Sequence, residues 1–336
     1  MVTFSIIPII DSLLRPPLLH GRRPPPTNSG RRLRHHHPLL GLRIPSRPKP
    51  ASSPHSWLRA ARHVAVATSS EHRFYRSIRH GNEIWARRGL GKACQNWQKQ
   101  LIKTVRPLSR HFPLVVPDLL FFGGSTTKWS ELFQAETLVR FMDHLRIKNF
   151  YVVGTSYGGF VAYHVARMCG GRVPGAVIAS SDVLKGEEDD MMLRERTGVG
   201  SAVELMLPRS TGTLRKLIGF AMYKPPRFLP EFALKDAIEN LYSQNLKEKV
   251  ELIKGITLGN KSEFQLTPLS QDVLIIWGDH DRIFPLDKAY KLKEKLGEKA
   301  RLEIVKKTGH MPNTENPTRF NELLLNFFLN DSKSSI

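Results

Sequence analysis

A chain of 336 residues can bury a full core, either as one large α/β domain with an insertion or as two smaller domains. Its net charge of +21 is unevenly held: residues 1–92 carry 17 Lys and Arg against 3 acids, and the remaining 244 residues carry 34 against 27, so nucleic-acid binding by the folded part is not expected. Two cysteines, Cys94 and Cys169, exclude a disulfide framework and fit a reducing compartment, and residues 4–19 are too broken by Pro8, Asp11, Arg15, Pro16 and Pro17 to form an integral membrane span.

Residues 1–60 hold 11 of the 23 prolines, the tract RRLRHHH at 31–37 and one acid, a composition that cannot bury enough apolar surface to fold. Two readings stand for this leader. One is an organelle transit peptide for chloroplast or mitochondrion, and the other is a disordered tail without an address, which leaves an intracellular protein in the cytoplasm. His35, His36 and His37 lack a second ligand cluster nearby, so no metal is expected there.

From residue 61 the pattern becomes globular. Residues 63–68 (HVAVAT) read as a strand, and residues 74–79 and 83–87 flank His80-Gly81-Asn82 as a hairpin. Residues 95–108 predict an amphipathic helix, 112–117 (FPLVVP) a buried strand, and 131–145 a helix with Leu138, Phe141, Met142 and Leu145 on its apolar side. Residues 150–153 are a β-branched run that enters Gly154-Thr155-Ser156-Tyr157-Gly158, and a helical pattern with Val161, Ala162, Val165 and Cys169 on one face follows. Residues 176–180 (AVIAS) complete an alternation of strands and helices that implies a parallel sheet, with 61–181 as the first part of its core.

Alternation stops between 182 and 271, a segment rich in Leu, Met, Lys and Glu, which reads as a helical cap. Leu205, Met206, Leu207, Leu214, Leu217, Ile218, Phe220, Met222 and Tyr223 are expected either to roof a pocket or to pack among themselves. The core resumes over 272–330, with strands at 273–277 and 302–305 and helices at 286–296 and 317–329.

Gly-x-Ser-x-Gly between a strand and a helix is the pattern of a nucleophile elbow, a turn too sharp for a Cβ at its glycines, which pushes Ser156 out beyond the sheet edge. A serine hydroxyl near neutral pH needs a base and an acid that holds the base in the correct tautomer. Asp281 follows one later strand and His310 follows the next, each at the edge where a parallel sheet presents its loops.

With Val116-Pro117-Asp118-Leu119, Gly123-Gly124-Ser125, Gly154-Thr155-Ser156-Tyr157-Gly158-Gly159, Gly278-Asp279-His280-Asp281 and Gly309-His310 with Glu315-Asn316-Pro317, the chain resembles the α/β-hydrolase superfamily over residues 74–329. Within it, the sequence is similar to plant-type lipase- and esterase-like members, near monoacylglycerol lipases and ring-fission-product hydrolases. The resemblance implies Ser156 as nucleophile, His310 as base, Asp281 as acid with Asp279 bracing the turn, and the Tyr157 N–H as one oxyanion donor. His111, His144 and His164 match no motif and read as structural or surface residues. One core strand with its His-Gly loop is missing where that superfamily places it, between the hairpin and the helix of Trp97. Gly89-Leu90-Gly91 stands as the remnant expected to give the second oxyanion donor, and residues 83–88 or 63–68 as candidates to fill the gap. The implied function is hydrolysis of small apolar carboxylic esters or related acyl compounds through an acyl-enzyme on Ser156, without cofactor or metal. The alternative is a catalytically weak or silent protein of the same fold that binds a small ligand or partner; oligomeric state is not readable from the chain.

Overall fold

The computed structural model describes residues 63–66, 75–76, 103–104, 106–116, 130–243, 246–254, 256 and 266–330. The leader (1–60), residues 83–88, Gly89, Leu90 and Gly91 lie outside these. Strands β1 (His63–Val66), β2 (Tyr75–Arg76), β3 (Leu114–Val116), β4 (Phe150–Thr155), β5 (Gly175–Ala179), β6 (Asp272–Gly278) and β7 (Ala300–Val305) form one sheet in the order β2-β3-β1-β4-β5-β6-β7. All neighbours are parallel except β2 and β3.

The gap predicted beside the Ser156 strand is filled by the second of the two candidates, residues 63–66 of the run at 63–68. Val64 pairs with Tyr151 of β4 on one side and with Leu114 of β3 on the other. Tyr75 and Arg76 pair antiparallel with Val116 and Val115; residues 83–87, their expected hairpin partner, lie outside the described residues.

Strands covered on both faces read as continuous apolar runs, and alternate residues serve opposite layers. Val152, Ile178, Ile275 and Trp277 pack under the helices α1 (Glu131–His144), α2 (Tyr157–Met168) and, later in the chain, α8 (Leu286–Leu296). On the other face Tyr151, Val153, Val177, Leu274 and Ile276 meet Phe320, Leu324 and Phe328 of the last helix, α10 (Pro317–Asn330). Helix α1 starts where Ser130 accepts a hydrogen bond from the Phe133 N–H, a side-chain cap that satisfies one orphan donor. Its Leu138 and Met142 are buried as the apolar stripe requires.

Between β5 and β6 the chain forms α3 (Glu187–Thr197), α4 (Ala202–Met206), α5 (Thr211–Ala221), α6 (Glu231–Ala237) and α7 (Leu246–Lys254); α8 lies between β6 and β7, and the short α9 (Pro312–Glu315) and α10 follow β7. Leu205, Leu207, Leu214, Leu217 and Ile218 are buried in a core of their own with Leu193, Leu234 and Tyr242, so these residues pack among themselves. Phe220, Met222 and Tyr223 are half-buried at the seam with the sheet edge.

Candidate active site

Ser156 caps α2 with φ 55° and ψ −124°, a left-handed backbone that costs a residue bearing a Cβ on the order of 1–3 kcal/mol. Its neighbours show what holds it there. A Cβ on Gly154 would overlap the carbonyl oxygen of Gly158, so the turn closes only around glycine. The Ser156 N–H donates to the Ala179 carbonyl at 2.9 Å, which carries the β4–β5 ladder one step past the strand and fixes where the serine stands.

The two later loops are built by the same device. Asp279 N–H donates to Val305 at 3.1 Å and His280 N–H to Thr308 at 2.9 Å, extending the β6–β7 ladder into the turns. A Cβ at Gly278 would overlap the Gly309 carbonyl, so the loop after β6 lies directly on the loop after β7. Asp281 and His310, 29 residues apart, meet as a result.

His310 Nε2 is 2.9 Å from Ser156 Oγ, and its Nδ1 is 2.9 Å from Asp281 Oδ2. Because an aspartate carboxylate only accepts, Nδ1 carries the proton, Nε2 presents its lone pair, and the serine hydroxyl donates to it. Both partners of the serine are buried, Asp281 and His310 each 5% exposed. The other oxygen of Asp281 accepts the Ile283 and Phe284 N–H groups at 2.9 Å each, which leaves the carboxylate one orientation. Phe284 stands edge-on to the His310 ring, and the Trp277 indole N–H holds the Phe284 carbonyl at 2.9 Å.

Asp279 accepts from the Thr308 N–H at 3.3 Å and lies 2.7 Å from His280 Nδ1. Burial pushes its carboxyl up, but those hydrogen bonds outweigh burial and hold it below the usual carboxylate range. Asp279 thus ties one loop to the other and does not reach the His310 ring. Tyr157 opens α2 at its first position, beside Ser156. Its side chain is buried, and burial, helped by the Glu131 charge, raises the phenol well above its ordinary value. His164 is buried 3.9 Å from Glu131, whereas His111 and His144 are exposed, and none of the three reaches the site.

Sequence reasoning quoted Glu315 only as part of a motif. In the fold its two oxygens accept the Gly309 and Tyr223 N–H groups, each at 2.8 Å, joining the His310 loop to the cap. Burial raises its carboxyl above the ordinary value against the pull of those N–H groups. The His310 N–H donates to the Ala221 carbonyl at the end of α5 at 2.8 Å, and the Arg282 guanidinium caps the same helix end through the Gly219 and Met222 carbonyls. No local pattern marks Arg282, because its acceptors lie about 60 positions away.

Behind the Asp281 loop, Leu193, Ile283, Phe284 and Pro285 line a cavity of about 240 Å³ together with Asp182 and Lys288. Neither Ser156 nor His310 lines it. Asp182 is fully buried, and burial pushes its carboxyl up to about 6 despite Lys288 at 3.4 Å. Burial depresses the Lys288 ammonium, but Asp189 and Asp182 more than reverse this and raise it. Among the described residues no group of three or more His, Cys, Asp or Glu is placed to hold a metal ion, and no helix is long and apolar enough to cross a membrane.

A parallel sheet whose carboxyl edge gathers a serine elbow and, from two later loops, an aspartate and a histidine defines an α/β-hydrolase-type protein. Residues 88–317 match the model of the alpha/beta hydrolase fold family, and the chain belongs to that family. A 2-hydroxy-6-oxononadienedioate/2-hydroxy-6-oxononatrienedioate hydrolase of Pseudomonas sp. is 30% identical over 189 residues, 55% of this chain and 65% of the relative. Lipase 1 of Psychrobacter immobilis is 25% identical over 211 residues, 61% of this chain and 65% of the relative. The chain therefore matches just under two thirds of the length of these two relatives. A solved 2-hydroxy-6-oxo-6-phenylhexa-2,4-dienoate hydrolase from Rhodococcus sp. strain RHA1 shares the fold, with TM-score 0.59, 21% identity, and coverage of 80% of this chain and 90% of that one. These relatives are bacterial, and nothing in them supports the plant-type branch or the transit peptide.

Proposed function

We propose that this protein is a serine hydrolase that cleaves carboxylic esters or related acyl compounds through an acyl-enzyme on Ser156. The observation that carries the reading is the unbroken chain of two 2.9 Å hydrogen bonds from Ser156 Oγ through the His310 ring to Asp281. In this reaction Ser156 Oγ attacks the acyl carbon while His310 Nε2 takes the hydroxyl proton, and Asp281 stabilises the imidazolium that forms. The oxyanion develops over the N-terminus of α2, where the Tyr157 N–H and the helix dipole favour negative charge. His310 then protonates the leaving alcohol, and a water deprotonated by the same nitrogen releases the acid. Gly89 or Leu90 remains our proposal for the second oxyanion donor. β1 runs parallel to β4 with Val66 opposite Val153, so it ends at the edge that carries Ser156.

A fluorophosphonate probe should label the protein, and Ser156→Ala should abolish labelling; equal labelling of both would reject Ser156. Turnover of tens per second on a short-chain nitrophenyl ester would show a complete oxyanion site, since one missing donor costs about 10²–10³-fold. The names of the relatives favour a second reading, hydrolysis of a 2-hydroxy-6-oxodienoate. Faster turnover of such a compound than of the nitrophenyl ester, with the same loss in Ser156→Ala, would select it.

A further inference from the structure

The segment from the end of α5 into α6, KPPRFLPEFALK at 224–235, carries the two most exposed aromatic side chains among the described residues. Phe228 is 76% and Phe232 is 74% exposed. Leu229 and Leu234 between and beside them are buried in the cap's own core, so the segment is anchored and the two rings point away from it. Pro225, Pro226 and Pro230 restrict the backbone that carries them.

The charge around the rings is mainly basic, with the exposed Asp236, four positions after Phe232, as an acid on the same helix face. Lys224, Arg227 and Lys235 are exposed, and Lys235 follows Phe232 by three positions on α6, which places them on one helix face. The single acid of the segment, Glu231, is held by Arg215 at 3.0 Å and by the Thr211 hydroxyl at 2.6 Å, so its charge is already matched.

Those facts choose among occupants. Residues 1–92 hold 17 basic residues against 3 acids and would be repelled, and a second copy would oppose the same basic face. Two rings of roughly 150–250 Å² each fall well short of the ~800 Å² per partner of a stable protein interface. They suit a lipid surface, where aromatic rings settle at headgroup depth and lysine and arginine pair with anionic lipids. We propose that this face of the cap docks on an anionic lipid surface, with Phe228 and Phe232 entering the interface and Lys224, Arg227 and Lys235 meeting the headgroups. The docking segment starts one residue after Tyr223, whose N–H Glu315 ties to the His310 loop, so a cap held at a membrane would also hold the candidate active site there.

The proposal does not depend on turnover and is read by co-sedimentation of the full chain with vesicles of phosphatidylcholine alone or with about one third phosphatidylglycerol. Binding should require the anionic lipid, weaken with salt, and fall about tenfold or more for each of Phe228→Ala and Phe232→Ala. Lys224→Glu with Arg227→Glu should weaken it further. Circular dichroism and hydrolysis of a soluble ester should match the parent, since neither ring reaches the core. If the Phe228→Ala/Phe232→Ala double variant binds as the parent does, the basic leader alone makes the contact and the proposal fails. It also fails if polyglutamate is bound as tightly as the vesicles with the same dependence on both rings, which would indicate an acidic protein partner, or if ultracentrifugation shows a dimer that the double variant loses.

Discussion

The two sides of the sheet were assembled on different terms. From β4 to β7 the strands are 5–7 residues long and lie in the order in which the chain makes them, and β4, β5 and β6 bury almost every side chain. On the other side, among the described residues, β1, β3 and β2 are 4, 3 and 2 residues long, and β1 is inserted between β3 and β4. A long apolar run flanked by a helix of its own specifies its place locally. A short run finds its place from the backbone groups its neighbours leave unpaired, which are costly to bury unmatched. Ser156, Asp281 and His310 all stand on loops of the ordered side, so the proposed chemistry depends on the part of the fold with the fewest alternatives.

The largest expected effects break the ordered side at its loops. Ser156→Ala or His310→Ala should lower ester turnover by about 10⁴-fold or more, and Asp281→Asn by about 10³–10⁴-fold through the wrong imidazole tautomer. Asp279→Asn, which only loosens the tie between the loops, should cost about tenfold or less; the reverse ranking on folded protein would move the acid to Asp279.

A proline scan tests the comparison between the two sides directly. Ala65 pairs with Val152 and Val115, so Ala65→Pro should destabilise the fold by about 3 kcal/mol or more in denaturant unfolding, as Ile275→Pro should in β6. A loss below about 1 kcal/mol at Ala65, with Ile275→Pro severe, would mean that the sheet stands without β1.

Asp182 offers a pH handle at the end of β5. Its folded value of about 6 lies above the ordinary 3.8, so the folded state binds the proton more tightly and Asp182 costs stability as pH rises from about 4 to 6. The shift corresponds to about 3 kcal/mol. Asp182→Asn should therefore gain stability relative to the parent over that window and hold the gain above it; a flat difference curve from pH 4 to 7 would contradict the assignment.

Glu315→Gln should give the smallest effect, a roughly threefold fall in kcat with KM little changed. The amide retains one acceptor for the Gly309 and Tyr223 N–H groups and turns a donor toward the other. A change confined to KM would place Glu315 in substrate binding instead.

Much of this protein was determined by its sequence alone. The runs at 150–153 and 273–277, the glycines at 154 and 158, and the apolar stripe of Leu138 and Met142 gave elements whose spacing and burial follow from local geometry, and Ser156, Asp281 and His310 could be named because each sits where such an element ends. The alternation of apolar residues did not say which sheet neighbours His63–Val66 would take, since a four-residue strand fits any gap of its length. That choice fell to the tertiary structure, as did the meeting of Asp281 with His310 across 29 residues, the grip of Glu315 on Tyr223, and the contact of Arg282 with the end of α5. The physical reason is the same in each case: local propensity acts over a few residues, whereas a buried donor or acceptor takes whichever partner the packed chain brings within hydrogen-bonding distance.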